Sequence, residues 1–255
     1  MRVFIGMFGI YLALMLGAYL WDRGGNHSSA DATTPIVAVK PVIVPYHAVL
    51  VAGDASIPNF DNATDVMARR LEHSGDDVRV LTSNGSLVTN ERWYAASWTI
   101  YDAFYDVKPG EGCLIFVTSH GNEYGLVMGM DNRDHYFLTP TRLSQILAKR
   151  CRDRPTVAIL SGCHTGTFLK PEMESPNRII LTAARKDRTS FGCSADTSFT
   201  YFDECLLEAM GEAGTWAAIF DRTKSCVEEK ERAKHFTPSE PQAYFGSEVQ
   251  NLGIE

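Results

Sequence analysis

Cys113-Leu114-Ile115-Phe116-Val117 runs into Thr118-Ser119-His120-Gly121, and Thr156-Val157-Ala158-Ile159-Leu160 runs into Ser161-Gly162-Cys163-His164-Thr165-Gly166. Both apolar runs read as buried strands bounded by turn residues. Each delivers one reactive side chain to a glycine-bearing loop at its C-terminal end, the edge at which open α/β sheets bind ligands. A histidine and a cysteine so placed are the parts of a thiolate nucleophile and its acid/base partner.

Working outward, His47 to Gly53 is another buried strand, and Asn62 to His73 has a helical pattern with Val66, Met67 and Leu71 on one face. Asp77 to Leu81 reads as a short strand ending at the turn signal Asn84-Gly85. Thr89 to Val107 predicts a helix closed by Pro109-Gly110. Leu126 to Met130 and Tyr136 to Leu138 flank Asp131-Asn132 as a hairpin, and Thr139-Pro140 starts a helix that reaches Cys151. Arg178 to Thr182 is a further strand, helices are expected over 199–210 and 215–234, and a last strand over Gln242 to Phe245. This alternation predicts an α/β fold: one mostly parallel sheet of about six strands with helices on both faces.

A protein of 255 residues that is 45% hydrophobic and 22% charged can bury a full core in one domain. Its net charge of −7, with basic residues scattered, excludes a non-specific nucleic-acid binder. Val3 to Trp21 is uncharged and almost wholly apolar, preceded by Arg2 and followed by Asp22-Arg23. It is just long enough to cross a bilayer, which takes about 20 residues, and the same pattern serves as a secretory signal. Residues 1–22 are therefore expected to be a signal peptide or membrane anchor, and 23–46, with Pro35, Pro41 and Pro45, a linker. The expected location is exported: anchored in an inner membrane facing the periplasm, or periplasmic or secreted.

All six cysteines lie from Cys113 onward and lack the paired spacing of zinc sites. With Cys163 kept free, at least one other thiol is unpaired; Cys113 in a strand and Cys205 in a helix are expected as buried small hydrophobes rather than bridges.

A lone histidine at a strand end is more often a satisfied structural residue than a catalyst. Two details favour chemistry at His120: Gly121 lets substrate approach the backbone, and the matching cysteine ends another strand of the same expected sheet. Cys163 sits between Gly162 and Gly166, in a tight loop that need not cover its thiol. The N–H groups of Gly121 and Cys163 are candidate oxyanion donors, each worth on the order of a hundredfold in rate. His164 is a poorer acid/base, since adjacent side chains in such a loop point apart. A nucleophile elbow would need Ser or Cys where His164 stands. A metal site built from His120, Cys163 and His164 has no supporting spacing and no carboxylate, so neither metal nor organic cofactor is expected.

These motifs resemble the legumain-type (C13) cysteine peptidases, relatives of caspases, metacaspases and gingipains. The likeness is carried by Ser119-His120-Gly121 and Gly162-Cys163-His164-Thr165-Gly166. It extends to Thr182 through Cys193, Phe199-Thr200-Tyr201-Phe202 and Ser239-Glu240-Pro241-Gln242, and covers about His47 to Gly246. The resemblance implies a caspase-like three-layer sandwich over 47–255 acting on peptide or protein substrates. Cys163 would be the nucleophile, His120 the acid/base, and Asn59 a residue that orients the histidine. It equally admits a transpeptidase of the same chemistry or a non-catalytic scaffold. Where the family builds its Asn/Asp pocket from an arginine, an acid and an aspartate, this protein has Asp61, Ser161 and Asp196. That exchange predicts an acidic pocket and a preference for Lys or Arg at P1. Asp61 reads equally well as the N-cap of the Asn62 helix.

Overall fold

The computed structural model describes residues 40–131, 134–194, 196–212 and 214–255; the apolar segment Val3 to Trp21 and most of the expected linker lie outside them. The polypeptide runs through β1 (Val42–Ile43), β2 (Tyr46–Ala52), α1 (Asn59–His73), β3 (Asp77–Thr82), β4 (Arg92–Tyr94), α2 (Ser97–Ala103) and β5 (Gly112–Thr118). It continues with β6 (Gly121–Asn122), β7 (Gly125–Asp131), β8 (Asp134–Leu138), α3 (Pro140–Arg150) and β9 (Thr156–Ser161). Then follow β10 (Arg178–Thr182), α4 (Tyr201–Ala209), β11 (Gly214–Thr215), α5 (Trp216–Ala233), β12 (Gln242–Phe245) and β13 (Leu252–Ile254).

Seven strands form the main sheet in the order β12-β10-β9-β5-β2-β3-β4, and only β12 runs antiparallel to its neighbour. The central strands are apolar throughout because both of their faces are covered, as the sequence predicts. Alternation along β2 shows how. Tyr46, Ala48 and Leu50 join Leu114, Phe116, Met67, Phe202 and Trp216 in one core, while Val49 and Val51 join Ile115, Val117, Ile100, Leu143 and Phe168 in the other. Helices α1, α4 and α5 contribute to the first core and α2 and α3 to the second, giving three layers.

Three expectations change. The predicted helix over 89–107 is instead strand β4 followed by the short α2. Trp93 and Tyr94 pair with Leu81 and Thr82, extending the sheet by one strand beyond the six expected. Helix α1 begins at Asn59 with Pro58 as its N-cap, so Asp61 lies inside the first turn and is not the cap. Val42 and Ile43, placed in the linker by sequence, pair with Leu252 and Gly253 and belong to the folded unit.

Two disulfides overturn the reading of Cys113 and Cys205 as plain hydrophobes. Cys113 on β5 is bonded to Cys151 at the end of α3, and Cys205 on α4 to Cys226 on α5. Among the described residues Cys163 and Cys193 are the free thiols. Burial hides a half-cystine as well as it hides a thiol, so the apolar setting of Cys113 carried no signal of its bond.

Candidate active site

Strands β5 and β9 are neighbours in parallel register, with Thr118 opposite Ser161. Each catalytic candidate stands two residues beyond that pair, so His120 and Cys163 leave the sheet at the same edge on adjacent loops. The ladder continues one step past the strands, Ser119 donating its N–H to Ser161 O at 3.1 Å. Beyond it the two loops pack backbone against backbone. A Cβ added at Gly121 would lie 2.3 Å from Cys163 O, and one at Gly162, where φ is +157°, would lie 2.5 Å from Ser119 O. No side chain fits at either position without pushing the loops apart.

Cys163 is partly exposed, and its Sγ accepts from the Ser190 N–H at 3.3 Å. His164 adopts a left-handed backbone with φ of 60°. Its N–H donates to Arg188 O at 2.8 Å, and its Nδ1 lies 3.0 Å from Lys186 O. These contacts pin the imidazole to the 186–188 loop and leave His120 as the acid/base candidate.

The His120 ring packs edge-on against Phe60, centroids 5.3 Å apart. Asn59 is fully buried, but its Nδ2 donates to Gly192 O at 3.1 Å and to Thr197 O and Oγ1 at 2.9 Å. Its Oδ1 has no hydrogen-bond partner among the described residues. The structure thus uses Asn59 to hold the 192–197 loop, and Phe60, its neighbour, to support the histidine ring.

The three pocket candidates have separate partners. Asp61 is buried beside β3, accepting from Thr82 Oγ1 at 2.7 Å with Arg92 3.8 Å away. Burial raises its pKa, and those two partners oppose the rise. Ser161 lies under the sheet edge, 3.5 Å from Thr200 Oγ1, and Asp196 is exposed on the 194–197 turn.

An unpredicted acid occupies the space between the two strand ends. Asp203 on α4 is fully buried; Thr118 Oγ1 donates to its Oδ2 at 2.6 Å, and Thr200 Oγ1 caps its N–H at 3.1 Å. Burial pushes its carboxyl up to about 6, against hydrogen bonds from Ser161, Thr118 and Thr200. Its Oδ1 has no well-directed partner among the described residues. The sequence signal for it was Thr200-Tyr201-Phe202-Asp203, an acid on the apolar face of a helix. A second buried acid, Asp54, follows β2 and accepts from Ser56 N–H at 2.6 Å. Burial, then the nearby Cys163, Asp203 and Asp54, push the Cys193 thiol up to about 12, so Cys193 stays protonated.

A family model for the peptidase C13 family matches residues 103–251, more than half of the sequence. The chain belongs to the peptidase C13 family. The matched span contains His120, Cys163 and Asp203 and leaves out Asn59 and Asp61. No curated protein matches the sequence significantly. Among solved structures, caspase-1 from Spodoptera frugiperda is similar with a TM-score of 0.58. The match covers 85% of this C13 protein and 90% of the caspase at 15% identity, a likeness of fold alone. The fold is thus caspase-like, and C13 membership carries a cysteine-peptidase type of function.

Proposed function

We propose that the protein is a cysteine endopeptidase in which Cys163 and His120 form the catalytic dyad. The observation that carries this is the register pair Thr118–Ser161, which sets both residues on interlocked loops at one sheet edge. Cys163 Sγ attacks the scissile carbonyl, and its proton passes to His120. The oxyanion is held by the N–H groups of Gly121 and Cys163. The Gly121 amide is free for this. Val127 N–H donates to His120 O at 2.8 Å, which makes Gly121 and Leu126 a non-hydrogen-bonded pair whose N–H groups point out of the β6–β7 ladder. As the tetrahedral species collapses, His120 Nε2 or Nδ1 gives its proton to the leaving amine. Water, activated by the same imidazole, then hydrolyses the thioester. An amine in place of water would make the enzyme a transpeptidase with the same residues.

For the P1 residue the basic preference keeps a physical basis, now in other side chains. Asp203 and Asp54 are buried acids near the Cys193 thiol, and a P1 cation would supply a partner for Asp203. Two disulfides fit an oxidising compartment and so support export.

The test is labelling with a peptidyl acyloxymethyl ketone followed by a fluorogenic P1 library. Modification at Cys163, lost in His120→Ala, with Arg or Lys favoured at P1, is expected. A protein that is not labelled and turns nothing over is a scaffold. One labelled at Cys163 but selecting Asn or Asp refutes the acidic pocket alone.

A further inference from the structure

An aromatic groove of about 550 Å³ lies between the β4–α2 segment and the β7–β8 hairpin. Tyr94, Met128 and Phe137 line it, and Trp98 and Tyr136 stand at its mouth, 57% and 50% exposed. No charged residue lines it among the described residues. Large aromatic side chains left in water around a concave surface mark a binding site.

We propose that this groove binds the leaving-group side of the polypeptide substrate, taking a bulky aromatic or aliphatic residue about four positions beyond the scissile bond. The inference rests on the dyad reading, which fixes direction. His120 protonates the leaving nitrogen, so the substrate segment on the C-terminal side of the cut departs past the histidine. Along the sheet edge the order is β9, β5, β2, β3, β4. Cys163 follows β9, His120 follows β5, and Tyr94 ends β4, so His120 stands between the nucleophile and the groove. From β5 to β4 are three strand spacings of about 4.8 Å, and an extended peptide advances about 3.4 Å per residue, hence about four residues.

The hairpin forms a continuous wall along that path. Val127 is bonded to His120 O, Gly129 N–H donates to Gly53 O at 2.8 Å beyond β2, and Gly129 meets the Tyr94 ring at the groove. The uncharged lining then sets the chemistry, since an ionised side chain would lose its hydration there without a partner.

Binding to full-length Cys163→Ala protein tests this independently of turnover. Peptides carry Phe, Leu or Ser at one position from the third to the sixth beyond the cut and are otherwise randomised. Phe or Leu near the fourth is expected to tighten binding about tenfold over Ser, and Trp98→Ala with Tyr136→Ala to reduce that ratio below about twofold. Both side chains are half-exposed, so the fold does not depend on them. A ratio near one at all four positions overturns the proposal. So does a ratio that survives both substitutions, or substitutions that instead abolish binding to phosphatidylcholine–phosphatidylglycerol vesicles or self-association. Turnover of a peptidyl aminocoumarin by the unsubstituted enzyme reports separately on the dyad. If it fails, the peptidase reading falls and takes the groove proposal with it; if it succeeds, the Phe/Ser binding ratio alone decides the groove.

Discussion

Replacing Asp203 by Asn removes a buried charge while keeping the shape and an acceptor for Thr118. The carboxyl titrates near 6 in the native state, up from 3.8; at about 1.4 kcal/mol per pH unit that rise is worth on the order of 3 kcal/mol. The sign follows from proton linkage. Between pH 3.8 and about 6 the native state holds more protons than the unfolded state, so stability falls as pH rises through that window. Above it both states are ionised and the native state carries the whole penalty; below it both are protonated and the penalty is gone. The Asn variant has no such titration. Measured against the Asp203 protein, it should therefore gain on the order of 3 kcal/mol between pH 4 and pH 7. Urea unfolding at several pH values, on a Cys163→Ala background that prevents self-cleavage, reads this difference directly. A stability difference that is flat across the window would show that the Asp203 carboxyl is not held up by burial.

Thiol reactivity should divide sharply: at neutral pH iodoacetamide modifies Cys163 and leaves Cys193, whose thiol titrates near 12, and peptide mapping after brief exposure checks it. Gly121→Ala should cut kcat/KM by at least about tenfold, since its Cβ would press on Cys163 O and move the oxyanion donors; steady-state kinetics with a thermal melt separates this from unfolding. Removing either disulfide by paired Cys→Ala substitution should lower stability by about 3–4 kcal/mol, because the bridges close loops of 38 and 21 residues. Denaturant midpoints measure that loss, and an unchanged midpoint would mean the bond is not formed.

The parts of this molecule that are legible in the sequence are those whose physics is local. Short apolar runs such as Val157 to Leu160, bounded by turn residues, read as strands covered on both faces, and their glycine-bearing ends place His120 and Cys163 without knowledge of any contact. Strand β4 is not legible. Trp93, Phe104 and Val107 lie at spacings compatible with one helix face, and only pairing to Leu81 and Thr82 makes Arg92–Tyr94 extended. The disulfides are hidden for a similar reason, since partners 38 and 21 residues apart meet only through the packing of α3 on β5 and of α4 on α5.

Asp61, Ser161 and Asp196 settle with different partners because a resemblance fixes where a residue sits in the sequence but not where its charge goes. Asp61 stands at the start of α1, where Thr82 and Arg92 take its carboxylate. Asp196, on an exposed turn, is free to remain in water and does so. Asp203 has no such choice. Helix α4 packs its apolar face on the sheet beside Phe202 and Leu206, and an acid on that face must end under the strand ends, where Thr118 and Ser161 are the available donors. A carboxyl held there for no functional reason would be a cost that Asn or Leu avoids. The same two strand ends carry His120 and Cys163 two residues further on. Under the proposed function the buried charge is placed where it would either hold the loops of Cys163 and His120 in register or receive a cation from the substrate, and the pH dependence of Asp203→Asn, read in stability and again in kcat/KM, separates these roles.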